Sequence, residues 1–169
     1  RAWREAAGFV SVSDHYLAQL GQRYRWFAAK PAVVIPFGAP EADFALARAS
    51  SHIAPAFVRQ PGVIYLVSVG AIGPIMRTAL EYLFAGLRNL RATDPGDATR
   101  LHFHFIGTSY APGAQAVPSV LPIAQACAVA ERVQEEPGRV GYFTAIRIML
   151  VADAIILPGG EVGATALGA

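Results

Sequence analysis

Gly62-Val-Ile-Tyr-Leu-Val-Ser-Val-Gly-Ala-Ile-Gly-Pro74 is the stretch whose reading decides the fold. Its first part, Gly62 to Val69, is an almost unbroken apolar run, the pattern of a strand covered on both faces. Gly70 ends the run. Pro74 suits the first turn of a helix, where a missing N–H loses no intrahelical bond. Met76, Leu80, Leu83, Leu87 and Leu90 then recur at steps of three and four, which makes one apolar stripe with Arg77, Glu81, Arg88 and Arg91 off it. Strand, glycine turn and helix therefore follow one another within about thirty residues, the start of a strand-crossover-strand unit.

The same rhythm continues on both sides. Downstream, Asp94 to Asp97 reads as a turn, Leu101–Ile106 as a strand and residues 107–118 as a loop. A helix is expected over Ser119 to Ala130, a short strand around Arg132 to Gln134, and a turn over Glu135-Glu-Pro-Gly-Arg139. Tyr142, Ile146, Met149 and Leu150 mark a further helix, and Ala154–Leu157 the last strand, whereas residues 159–169 show no periodicity. Upstream, Gly8–Ser13 reads as a strand, Asp14 as the cap of a helix running towards Trp26, and Ala32–Pro36 as a second short strand. Residues 38–60, with Pro40, Pro55, Ser50 and Ser51 and a possible short helix over Glu41 to Ala49, read as a hinge or linker between a unit at 1–37 and one at 61–169. Alternating apolar strands and amphipathic helices predict an α/β fold with a doubly wound parallel sheet, Rossmann-like. In such sheets ligands bind beyond the carboxyl ends of the strands. Function is therefore expected in the loops after Val69, Ile106, Gln134 and Leu157.

Composition narrows the classes. In 169 residues, 54% are apolar and 15% charged, the balance of a globular protein with a real core. The longest apolar stretch, Ile146 to Pro158, is broken by Arg147 and Asp153, short of the roughly 18 residues that span a bilayer. Residues 1–8 lack the apolar core of a signal peptide, and the absence of an initial Met suggests a piece of a longer chain. Cys127 is the single cysteine, which excludes an internal disulfide and suits a cytoplasmic setting. Thirteen arginines and one lysine are scattered without a run, so a nucleic-acid partner is not expected, and nothing in this segment requires a membrane.

Five segments qualify as sites, each beside a plainer reading. Val69-Gly-Ala-Ile-Gly-Pro74 places glycines between a strand and a helix, an arrangement that lets backbone amides approach an anion; the plain reading is a tight turn. It matches neither the dinucleotide fingerprint nor a P-loop. His102 and His104 face the same side of a strand, where two packed, hydrogen-bonded histidines are expected rather than a metal site, since no third ligand is apparent. Thr108, Ser109 and Tyr110 suit either ligand contacts or self-satisfied loop polars. Glu135 to Arg139 reads as a solvated turn or as a contact to a base or ribose. Glu161, with Thr165 beyond it, follows the last strand and suits sugar or ribose hydroxyls, unless the tail is simply frayed. Asp14 and His15 point in different directions on a helix and make no acid-base pair, and Cys127 reads as an inert thiol in an apolar helix.

Taken in order, these segments resemble bacterial glycosyltransferases of the GT-B fold, in the retaining group often called family 4. Gly8-Phe-Val-Ser-Val-Ser-Asp14 is similar to that family's "ADAVISVSD" strand, and Ala32-Val-Val-Ile-Pro-Phe-Gly-Ala39 to its "VVIPNGV" strand. Ile64 to Gly70 resembles the first strand of the donor domain and Leu101–Gly107 its "L.F.G" strand. Leu150-Val-Ala-Asp-Ala-Ile-Ile-Leu-Pro158 resembles "L..ADAFVLPS". The resemblance implies the GT-B half that holds a nucleoside-diphosphate sugar, with the end of the acceptor-side domain before it. It implies no cofactor and no need for a metal, and donor contacts at Gly70, Gly73, Arg77, Thr108, Ser109, Glu161 and Thr165. Two departures stand out. Ala71 occupies the place of the family's arginine, with no lysine following, and the family's second glutamate after the last strand is not placed. The expectation is a fragment that binds a nucleotide-sugar donor without turning over an acceptor that the sequence does not identify. The alternatives are a non-catalytic α/β module binding a protein partner, or another Rossmann-like nucleotide-sugar enzyme.

Overall fold

A computed structural model describes residues 2–50, 53 and 57–159. The chain divides into two compact units, residues 1–40 and a second unit beginning at Glu41.

The first unit holds a short helix α1 (Ala2–Glu5), strand β1 (Phe9–Ser11), helix α2 (Asp14–Arg23), a 3₁₀ segment (Arg25–Ala29) and strand β2 (Ala32–Val34). β1 and β2 pair in parallel, Phe9 opposite Ala32. The cap of α2 is Ser13, not Asp14: Ser13 has extended backbone and its hydroxyl accepts the His15 N–H at 3.1 Å. Asp14 instead lies in the first turn, where its charge suits the helix dipole. Phe27 is buried and packs against Phe9, ring centroids 4.9 Å apart.

The second unit begins with α3 (Glu41–Ala49), which lies inside the 38–60 stretch and packs on α7 below. Strands β3 (Ile64–Val69), β4 (Leu101–Ile106), β5 (Val133–Glu136) and β6 (Ala154–Ile155) form one parallel sheet in the order β5-β4-β3-β6. Counted within this unit the order is third, second, first, fourth. The chain builds outwards in one direction and then crosses back, which is the doubly wound, Rossmann-like arrangement. Helices α4 (Arg77–Thr93) and α6 (Leu121–Ala126) pack one face through Leu80, Phe84, Leu87 and Ile123 against Phe103, Phe105 and Val133. Helix α7 (Tyr142–Val151) packs the other, Ile148 against Val67 and Ile106. The alternation of Phe103 and Phe105 with His104 and Ile106 along β4 divides these two cores. No helix among the described residues is long and apolar enough to cross a membrane.

Several boundaries differ from the sequence expectation, each for a local reason. The Asp94–Asp97 turn opens a short helix α5 (Pro95–Arg100), because Asp94 accepts the Asp97 N–H at 3.0 Å with Pro95 behind it. The expected 119–130 helix stops at Ala126. Ala128 adopts φ 57°, its N–H reaches Gln125 C=O and that of Val129 reaches Ala124 C=O, both at 3.0 Å. This is a Schellman turn closed by the buried Val129, a termination that usually falls to glycine. Cys127 thus caps the helix end and packs, half-buried, against the core. The strand expected at 132–134 runs instead through Glu136, so Glu135 is a strand residue and not part of a turn.

At the amino end of the sheet Asp153 joins the edge strand to the centre. Its carboxylate accepts the Tyr65 N–H at 2.8 Å and the Arg59 guanidinium at 2.6 Å, while its own N–H donates to Tyr65 C=O at 2.9 Å. Arg59 also donates to Val151 C=O at 2.7 Å. The Tyr65 amide, followed by Arg59, holds the Asp153 carboxyl below its ordinary range. A carboxyl depressed in the folded state stabilises above its unfolded pKa of about 3.9, and that contribution is lost as pH falls through the lower folded value.

Asp153→Asn will lower stability at neutral pH, and the deficit will shrink on acidification below about pH 4 in urea melts of both proteins. Ala128→Gly will raise stability by about 0.5–1 kcal/mol, read from the urea midpoint at unchanged slope, because glycine removes the left-handed strain at little cost in an exposed turn.

Candidate functional site

Beyond the sheet's carboxyl end, pairing continues into the loops. Gly70 N–H donates to Ile106 C=O and Ile72 N–H to Thr108 C=O, both at 2.9 Å. Gly107 N–H reaches Glu136 C=O at 2.8 Å and Ser109 N–H reaches Pro137 C=O at 3.1 Å. Gly70 at φ 135° and Gly107 at φ 72° occupy backbone regions open chiefly to glycine. These two glycines let the strands leave the sheet while staying zipped together.

The zipper decides which donors remain. The amides of Gly70 and Ile72 are spent on β4, whereas the intervening amides of Ala71 and Gly73 have no hydrogen-bond partner among the described residues. Both residues are half-buried and lead through a 3₁₀ turn (Pro74–Met76) into the seventeen-residue helix α4. Arg77 is the first residue of α4 and is exposed. Its Nε donates to Glu81 at 2.8 Å, an i,i+4 surface pair worth only a few tenths of a kcal/mol and readily exchanged for a ligand. The loop thus offers two N–H groups unpaired among the described residues, and a cation, where the strand order reverses, between β3 and β6.

Thr108 has a different task. It is buried, and its hydroxyl lies 2.5 Å from Glu135 Oε1, donating to it. The same carboxylate accepts the backbone N–H groups of Ser119, Val120 and Leu121 at 2.8, 3.0 and 2.7 Å, the otherwise unsatisfied start of α6. Glu135 therefore ties β5, the β4 loop and α6 together, and its oxygens are fully engaged. Ser109 closes its own turn, accepting the Ala111 N–H at 3.1 Å. Tyr110 is exposed.

Of the residues expected to contact a donor, Gly70, Gly73, Thr108 and Ser109 lie in two adjacent zipped loops and Arg77 opens the helix that follows the first, while Glu161 and Thr165 fall outside the described residues. Within the two loops the Gly70 amide and the Thr108 hydroxyl serve the fold; the free donors belong to Ala71 and Gly73. The strand parity that separates them is visible in sequence only once the register with β4 is known. Glu135, expected in a turn, is instead the strand residue that organises this end; its partners are mostly backbone amides, which leave no signature in the sequence.

The two histidines separate. The Arg132 guanidinium lies 3.2 Å from His102 Nε2, and burial, with Arg132 second, lowers the His102 pKa. His104 is buried deeper, between Phe57 at 4.6 Å and Tyr65 at 5.6 Å by ring centroids, and its ring has no hydrogen bond among the described residues. The expected hydrogen-bonded pair therefore holds for His102 only. No group of three or more His, Cys, Asp or Glu side chains suited to a metal occurs among the described residues.

Replacing Glu135 tests the organising role. Glu135→Ala will cost about 3 kcal/mol in urea unfolding, because three helix-start amides and a buried hydroxyl lose one charged acceptor. Glu135→Gln, which keeps one acceptor oxygen, will cost about half as much.

No family model matches the chain, and no curated protein matches it.

Proposed function

We propose that the chain is the donor-binding part of a GT-B glycosyltransferase, holding a nucleoside-diphosphate sugar for transfer to an acceptor. The observation that carries this reading is the pair of unpaired amides at Ala71 and Gly73, set at the carboxyl end of the central strand and leading into α4. A diphosphate is the ligand such a loop suits. The two N–H groups donate to its oxygens, the helix start places positive dipole charge behind them, and Arg77 swings from Glu81 to neutralise it. Stabilising the departing diphosphate is the chemistry this arrangement supplies, and donors fixed by a zipped loop cost little reorganisation as charge develops. The order of segments along the chain supports the same reading. On it, residues 1–37 are the end of an acceptor-side domain and the chain alone binds without turnover.

One observation favours a second reading, a non-catalytic α/β module. Ala71 stands where the resembling family has arginine, which leaves Arg77 as the nearest cation in the loop's sequence.

Calorimetric titration of the 169-residue chain with UDP, GDP and ADP, with the monophosphates as controls, separates the two. The expected result is diphosphate binding that exceeds monophosphate binding and weakens about tenfold in Arg77→Ala, the loss of one charged hydrogen bond. Gly73→Pro will weaken it comparably: Gly73 has φ −89°, close to what proline adopts, so the change deletes an N–H with little backbone strain. Failure of the folded chain to bind any diphosphate would favour the second reading.

A further inference from the structure

Away from the β3 loop, a cleft of about 580 Å³ runs along the free edge of β5. It is bounded by Val140, Thr144 and Ile148 on the α7 side and reaches Leu121 of α6 around the strand edge. Pairing of β4 with β5 sets His104 opposite Gln134 and Ile106 opposite Glu136. Directly paired residues share a face, so His104, Gln134 and Glu136 line the α7 side of the sheet together.

His104 is the anomaly. It is only 5% exposed, it lines the cleft, and neither ring nitrogen has a hydrogen-bond partner among the described residues. Buried polar groups are nearly always paired. No buried side-chain nitrogen or oxygen in the described residues is both sealed from the surface and unpartnered, so the imidazole nitrogens keep some exposure, and His104 borders the cleft. Burial, and then His102, holds the His104 pKa below its ordinary value, which leaves the ring neutral at neutral pH with one lone pair to offer.

Gln134 and Thr144 each bring an acceptor oxygen together with donor hydrogens, and Glu136 adds a carboxylate whose one hydrogen bond among the described residues is from the Gly138 N–H at 3.2 Å. Glu135 also borders the cleft, but its oxygens are taken by α6 and Thr108. Among the described residues, no lysine or arginine lines it. Apolar walls, several acceptors and a net negative lining do not suit phosphate.

We infer that this cleft binds a small organic cation, an ammonium group on an apolar body, with the ammonium between His104 and Glu136 and the body against Val140 and Ile148. The site is separate from the β3 loop and independent of the reading proposed for it. The apolar body gains by burial, and the ammonium gains an imidazole lone pair and a carboxylate in a half-enclosed setting, where charged hydrogen bonds outweigh those at an open surface.

The test is a ¹H–¹⁵N NMR titration of the full chain with tryptamine, and with tryptophol and indole-3-acetate as its neutral and anionic counterparts. Saturable shifts at Gln134 to Glu136 and at Thr144 are expected with tryptamine, with affinity at least about tenfold above either counterpart. Glu136→Gln, at an exposed position, and His104→Phe, which keeps the ring packing, should each weaken tryptamine about tenfold. Equal binding of the three probes, shifts that do not saturate, or unchanged affinity in Glu136→Gln would overturn the assignment.

Discussion

The carboxylate of Glu135 sets the geometry of the sheet's carboxyl end. It sits on the edge strand with its side chain turned to the α6 face, where it meets three amides at the start of a six-residue helix and the hydroxyl of Thr108. A helix that short has little stability of its own, so its position depends on what holds its first turn. Thr108, fixed by the same group, presents its carbonyl to Ile72. Ile72 in turn is buried in the core between the amides of Ala71 and Gly73. One acceptor on β5 thereby decides, two strands away, which amides of the β3 loop are consumed and which stay free.

The parts of this that were legible in the sequence are those governed by periodicity. The run at 62–69, the stripe from Met76 to Leu90 and the apolar strand at 101–106 gave the alternation of strand and helix, and the sheet is parallel and doubly wound as that alternation requires. What periodicity does not encode is where a backbone group finds its partner. Ser13 caps α2 in place of Asp14 because an extended residue just before the helix can turn its hydroxyl back to an amide, while Asp14 is already helical. Ala128 ends α6 without glycine because Val129 is buried beneath the turn and holds a left-handed alanine in place. β6 is only two residues long although Ala154–Leu157 reads as a strand, and its pairing with Leu66 and Val67 is anchored by Asp153, a residue the apolar pattern passes over.

The same limit governs the site. Glycines at 70 and 73 look alike in sequence, yet Gly70 is needed for its backbone angle and spends its amide on β4, whereas Gly73 has ordinary angles and an amide with no partner among the described residues. Ala71 departs from the resembling family by losing a side chain, but its N–H is unaffected by that loss. A loop can give up a cation and keep its amides, which weakens anion binding without abolishing its direction. Arg77, one helical turn further on, lies where a cation adds to the same field.

The two ends of the sheet divide the work. At the amino end, Arg59, Asp153 and Tyr65 form a set of contacts that secures the edge strand to the centre. At the carboxyl end, the contacts that hold the loops run from Glu135 through Thr108 to Ile72, and Ile72 is flanked by two amides with no partner among the described residues. An extended backbone presents successive amides to opposite sides, so each amide zipped to β4 alternates with one that faces away from it. The contacts that make the loop rigid therefore also decide which of its amides face away from β4, and a change that loosens the zipper alters both together.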